Sequence, residues 1–255
     1  MLGRTAITLV FLMTAAAAAE WGAVLTSYAV PGGGVNKFAN GLAHDGTNLW
    51  CAEGRDDRIY RMDPATGSVS ASFAAPSAVA FGLAYGAGYL WYVDGNSRWF
   101  FKIDPATGGV AASFYKNVYK PYGLAHDGRY LWHSCSLTGP GTTSILKMTE
   151  GGSTVLSYPY TLGGTPHDLG YQAEGACLWA SSFGGINTYV YKFVASSGSF
   201  VRSFPQPAYF TAGIAYREER VYVASNQTEW IYVVDGRDDV RAAPASLGRV
   251  KSLFR

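Results

Sequence analysis

Residues 41–50 read Gly41-Leu42-Ala43-His44-Asp45-Gly46-Thr47-Asn48-Leu49-Trp50, and the chain returns to this text twice. The second copy is Gly82-Leu83-Ala84-Tyr85-Gly86-Ala87 followed by Leu90-Trp91, and the third is Gly123-Leu124-Ala125-His126-Asp127-Gly128 followed by Leu131-Trp132. The starts lie 41 residues apart. After the Leu-Trp pair the first two copies pass through Ile59–Asp63 or Phe100–Asp104 into the same turn text, Asp-Pro-Ala-Thr-Gly at 63–67 and 104–108. They then close on the alternating segments Val69–Phe73 and Val110–Phe114. Two weaker copies start near Asp168 and at Gly213, and reach Leu178-Trp179 and Val221-Tyr222. A period of 41 to 45 residues carrying four strand-like runs is the pattern of a propeller blade.

Within the first copy the reading assigns strands to Gly41–His44, Leu49–Ala52, Arg58–Met62 and Ser68–Phe73, named A to D from the axis outward. Asp45-Gly46 and Asp127-Gly128 suit tight A–B hairpins, and Asp-Pro-Ala-Thr-Gly suits the C–D hairpin. Five starts predict an all-β, five-bladed propeller of four-stranded antiparallel blades. A ring with a free edge would expose unpaired strand groups, so it must close. Val24–Tyr28 looks like a strand D with nothing before it, whereas the fifth copy runs from Trp230–Val234 into the charged Gly236-Arg237-Asp238-Asp239. The expectation is that the N-terminal strand completes the last blade, with Val250–Phe254 as the other source of the missing strand.

Composition agrees. The chain has 255 residues, 31 of them glycine, with 15% aromatic and 15% charged residues and a net charge of +2. That balance excludes a strongly basic nucleic-acid surface, and 48% hydrophobic residues exclude intrinsic disorder. Residues 1–19, MLGRTAITLVFLMTAAAAA, place Arg4 before an apolar run that ends in small residues, the layout of a secretory signal peptide. The run is short for an anchor across ~30 Å of hydrocarbon. The expected organisation is therefore a signal peptide at 1–19, one propeller at 20–236, and a tail at 237–255 with no assigned role. The mature chain is expected to be a soluble monomer, secreted or periplasmic. Cys51, Cys135 and Cys177 are an odd set, so no disulfide framework is expected.

The tryptophans at 50, 91, 132 and 179 recur on strand B. They could form a ring of ligand contacts, but a residue repeated in every copy serves the architecture first, so packing between blades is expected. Function is expected where the copies differ, in the D–A and B–C loops on one face of the ring. Candidate ligand-binding residues there are Asn40, Glu53, Phe81, Asp94, Arg98, Tyr122, His133, His167 and Asn226. His44 and His126 occupy equivalent A–B positions and read as turn residues. No metal-ligand spacing, phosphate loop or nucleophile motif is present, so neither cofactor nor metal is expected. Asn226-Gln227-Thr228 also satisfies the N-glycosylation sequon.

The repeat resembles two secreted propeller families. Phe38-Ala39-Asn40-Gly41-Leu42, Pro121-Tyr122-Gly123-Leu124-Ala125 and Gly213-Ile214-Ala215 are similar to blades of the plant- and bacterial-type glutaminyl-peptide cyclotransferases, which are five-bladed. That resemblance implies an enzyme acting at the channel mouth. Yet it places Phe81 where the family carries a glutamate, Cys51-Ala52-Glu53-Gly54 for E-S-T-G, and Asn226 near the expected lysine. Proton transfer that needs a carboxyl group cannot run on phenylalanine. Asn48-Leu49-Trp50-Cys51-Ala52-Glu53 is similar to the repeat of streptogramin-lyase-like propellers, whose seven blades and catalytic histidine have no counterpart here. The expected function is a non-catalytic module binding a protein, peptide or carbohydrate. A cyclotransferase-like or lyase-like enzyme is the alternative. Two or more buried carboxylates lining the channel mouth would favour the enzyme; an aromatic and amide lining would favour binding.

Overall fold

The computed structural model describes residues 21–139, 141–183 and 189–237. The expected leader, and the expected tail beyond Arg237, lie outside these residues. Among the described residues twenty strands form five antiparallel sheets of four. Strands β2 (Ala39–His44), β3 (Leu49–Glu53), β4 (Arg58–Met62) and β5 (Val69–Ala74) make the first blade. The second is β6 (Ala80–Gly86), β7 (Tyr89–Asp94), β8 (Trp99–Ile103) and β9 (Val110–Tyr115). The third is β10 (Lys120–His126), β11 (Leu131–Ser136), β12 (Thr143–Met148) and β13 (Thr154–Pro159), and the fourth β14 (Thr165–Gln172), β15 (Cys177–Phe183), β16 (Tyr189–Val194) and β17 (Phe200–Pro205). The fifth blade joins β18 (Thr211–Arg217), β19 (Arg220–Ser225) and β20 (Trp230–Asp235) to β1 (Val24–Ala29). The molecule is an all-β, five-bladed propeller, and the N-terminal strand closes the ring, Ser27 opposite Tyr232 and Tyr28 opposite Ile231.

The turns follow their residues. At the C–D hairpins Asp63 Oδ1 accepts the Ala65 amide at 2.7 Å, Asp63 O accepts from Gly67 N, and Gly67 takes φ +73°. Asp104 and Gly108 repeat the arrangement. At the A–B hairpins His44 Nδ1 accepts from Gly46 N and His126 Nδ1 from Gly128 N, both at 2.9 Å.

Each strand-B aromatic packs onto the following blade. Trp50 clusters with Leu83, Leu90 and Ile103, Trp91 with Leu124, Leu131 and Met148, and Trp132 with Leu169 and Leu178. Trp179 packs on Ile214 and Val223, and Tyr222 returns the series to Leu42 and Leu49 of the first blade. The polar edge of each indole is served locally: Trp50 Nε1 donates to Asp45, Trp132 Nε1 to Asp127 and Trp179 Nε1 to Gln172. Gly86 holds the same position in the second blade, and the buried Trp91 Nε1 has no hydrogen bond. The strand-C lysines Lys102, Lys147 and Lys192 lie 5.0, 4.9 and 5.3 Å from the ring centroids of Trp91, Trp132 and Trp179, a cation–π contact repeated in three blades.

Around the axis, a Cβ on Gly41 would meet Leu83 N at 2.6 Å, one on Gly82 Leu124 N at 2.7 Å, and one on Gly123 the Asp168 Cα at 2.3 Å. Inner strands this close admit no side chain at those positions. The fourth blade alone carries one there, Asp168, fully buried. Its carboxylate accepts from Leu42 N (3.1 Å), Leu124 N (3.1 Å) and Ile214 N (3.0 Å), joining four blades at one point. Burial pushes this carboxyl well above its usual range, while the amide donors of Ile214, Leu42, Leu124 and Leu169 pull it back down.

Candidate functional site

Every inner strand slips register once, and always at the same end: between Ala39 and Gly41, Ala80 and Gly82, Pro121 and Leu124, Pro166 and Leu169, and Thr211 and Ile214. A bulge bends its strand and re-aims a side chain. Asn40, Phe81, Tyr122, His167 and Ala212 fall inside these irregular segments, at the mouth of the central channel. The same face carries the B–C turns, stitched to the segment before strand A by Gly54 N→Phe38 O, Gly95 N→Val79 O and Asn226 N→Phe210 O.

A cavity of about 390 Å³ opens on this face, lined by Phe38, Asn40, Phe81, His167, Phe210, Asn226 and Gln227. The Phe81 ring lies 5.1 Å from that of His167 and 6.1 Å, edge-on, from that of Tyr122. It rests over Gly95, where a Cβ would come within 1.6 Å of the ring. The amides form a chain: Asn226 Nδ2 donates to Asn40 Oδ1 at 2.8 Å, and Asn40 Nδ2 donates to Ala80 O at 3.0 Å. Asn226 Oδ1 is buried and accepts no hydrogen bond. Burial, with Lys120 nearby, lowers the His167 pKa to about 4, so its imidazole is neutral at pH 7.

Of the residues read from the sequence, Asn40, Phe81, His167 and Asn226 line this one cavity, and Tyr122 packs on its wall. The other four lie elsewhere. Glu53 is buried and holds its own turn: its carboxylate accepts from Phe38 N (2.6 Å), Arg55 N and Asp56 N (2.7 Å). Asp94 does the same in the second blade, accepting from Asn96 N at 2.8 Å and from Ser97 N. Burial alone would raise the Asp94 pKa, but hydrogen bonds from Ser77, Ser97 and Asn96 bring it below the usual carboxylate value. Ser225 takes this place in the fifth blade and accepts from Gln227 N and Thr228 N. A residue that caps equivalent turns in three blades acts on the fold. His133 is fully buried, its Nδ1 paired with Gly123 O and its ring edge-on to Phe100. Arg98, at φ +65°, points its guanidinium at the Tyr115 hydroxyl on strand β9, the outermost of its blade.

The sequence reading passed over Phe38, Phe210, Gln227 and Lys120. Phe38, Val79, Lys120, Thr165 and Phe210 each stand two residues before the bulged position. Lys120 and Thr165 open their strands and Phe38, Val79 and Phe210 just precede theirs, so these five positions make an outer tier beside the first. Phe38 and Phe210 remain 42% and 48% exposed, and Phe210 sits at φ +51°, rare for a bulky side chain. Strain of that kind collects at ligand sites.

No family model matches the sequence, and no curated protein matches it. Solved structures do. A glutaminyl cyclase from Myxococcus xanthus superposes with a TM-score of 0.66 at 14% identity, over 83% of this chain and 94% of that one. A nidogen–laminin complex follows at 0.54 and 14% identity, over 78% and 76%. A virginiamycin B lyase of Staphylococcus aureus, with quinupristin, gives 0.47 at 19% identity over 76% and 65%. At these identities the first two establish the fold class, a β-propeller, and enzymes and binding proteins both occur among the neighbours.

Proposed function

We propose that this chain is an exported propeller, secreted or periplasmic and monomeric, that binds its ligand in the cavity of Phe38, Phe81 and Phe210 without transforming it. The observation that carries the reading is the lining: aromatic rings, side-chain amides and a neutral imidazole, with no carboxylate among the described residues of the cavity. General acid–base chemistry needs a positioned group able to give and take a proton near the working pH. Glu53, Asp94 and Asp168 are buried in backbone amide donors instead. Aromatic rings with a few fixed amides suit a peptide or a sugar, whose apolar faces stack and whose polar edges hydrogen-bond. The leader-like residues 1–19 support export.

The test is direct. Purified protein incubated with a peptide bearing N-terminal glutamine is expected to leave it uncyclised. A library of short peptides and oligosaccharides is expected to yield binders that Phe81→Ala loses while the protein remains folded by circular dichroism. Robust cyclisation abolished by Glu53→Gln or Asp94→Asn would instead establish a cyclotransferase with a relocated acid.

A further inference from the structure

The two tiers at the channel mouth hold ten residues and a single cation. Lys120 stands in the outer tier, at the place that Phe38 and Phe210 take in their blades. Its ammonium lies 5.0 Å from the centroid of the Phe81 ring, the ring that floors the cavity. Among the described residues it has neither a hydrogen bond nor an ion pair. Two of the other lysines with ring contacts are ion-paired, Lys102 with Glu150 and Lys147 with Asp127. Neither tier contains an aspartate or glutamate. An ammonium half-buried beside apolar rings, with no counter-ion, attracts an anion more strongly than one in open water, because the local dielectric is low.

Resting on the binding reading above, we infer that the ligand is a carboxylate carried on an aromatic or apolar body, the body in the cavity of Phe38, Phe81 and Phe210 and the carboxylate on Lys120. The C-terminal residue of a peptide and a free aromatic acid share this chemistry.

The experiment is calorimetric titration of the full mature chain with three probes: the tripeptide Ala-Ala-Phe with a free C-terminus, the same tripeptide as its C-terminal amide, and phenylacetate. The free-acid tripeptide is expected to bind about tenfold or more tighter than its amide, the scale of one charge-assisted contact. In Lys120→Met the two tripeptides should bind alike, with the melting temperature unchanged. Phenylacetate binding within tenfold of the free-acid tripeptide identifies a small acid as the ligand; much weaker binding identifies a peptide end. Equal binding of acid and amide by the unmodified protein overturns the carboxylate inference. If Phe81→Ala abolishes that equal binding, the cavity reading survives it. Failure of all three probes to bind at millimolar concentration also overturns the carboxylate inference, whereas cyclisation of N-terminal glutamine overturns the binding reading itself.

Discussion

Asp168 occupies the place that glycine holds in the other four blades, and it is the one side chain admitted to the axis at that level. Its oxygens receive amides from three other blades, so the carboxyl group takes the place a bound anion would occupy inside a ring of inward-pointing N–H groups. Asp168→Asn puts an NH2 group against N–H donors and should cost at least ~2 kcal/mol, read from urea unfolding. Asp168→Gly restores the repeat and leaves the amides open. Formate at tens of millimolar is then expected to raise the melting temperature of this variant and not of the parent, because a ligand bound to the folded state stabilises it. No differential effect would show that the carboxylate is replaceable by water. Trp91 poses a different question, since its indole N–H is buried without an acceptor while its ring fills the seam between the second and third blades. Trp91→Ala is expected to destabilise by roughly 3–5 kcal/mol, the range for a large core ring, despite that orphan donor. A loss below about 1 kcal/mol would mean that the seam collapses around the gap.

At the level of elements, closure depends on β1. Its residues Val24 and Leu25 are 49% and 45% exposed, so its apolar anchorage rests on Tyr28, buried in a cluster with Leu42, Leu49 and Tyr222. What it supplies is a run of ladder hydrogen bonds along β20 and a cover for that strand's edge. Two further ties reinforce it: Gly22 N donates to Asp235 O, and Trp21 stacks at 5.4 Å on Trp179 of the fourth blade. Deleting residues 24–29 should therefore lower the melting temperature sharply and promote association through the bared β20 edge, followed by light scattering on a thermal ramp. A monodisperse variant with unchanged melting would mean that another segment serves as the fourth strand.

The whole molecule buries histidines in their neutral form. The pKa is lowered by burial to about 3 for His133 and to about 4 for His167 and His44. The unfolded chain takes up these protons near 6.5 and the folded chain does not, so stability is full above pH 6.5 and falls as pH drops toward 4. Asp168 works the other way: its raised pKa lets the folded state take up a proton first, offsetting one histidine. The net expectation is a loss of about 2 kcal/mol or more between pH 7 and pH 5, read from urea midpoints. A flat profile would show that these imidazoles are protonated in the fold. Burial likewise protects the thiols, and holds Cys135 up to about 12. All three cysteines are buried and none forms a disulfide, so a thiol reagent should count none in the native protein and three after denaturation.

The repeat made the architecture legible before any coordinates. Turn chemistry, Leu-Trp spacing and period are local, and each copy restates them, so strand limits, the interblade tryptophans and the closing strand could be read from text alone. The bulged tier was legible too, because it stands one residue before a recurring glycine. The fate of the carboxylates was not. Glu53 and Asp94 sit in variable loops that look functional, yet their oxygens fold back on amides two and three residues along, a matter of side-chain direction that no spacing reveals. The axial role of Asp168 was equally hidden, since its partners lie 44 to 126 residues away in the chain and meet only when the ring closes. Sequence determined what repeats; the tertiary structure decided which of the unrepeated side chains face one another, because that depends on the curvature of the closed ring.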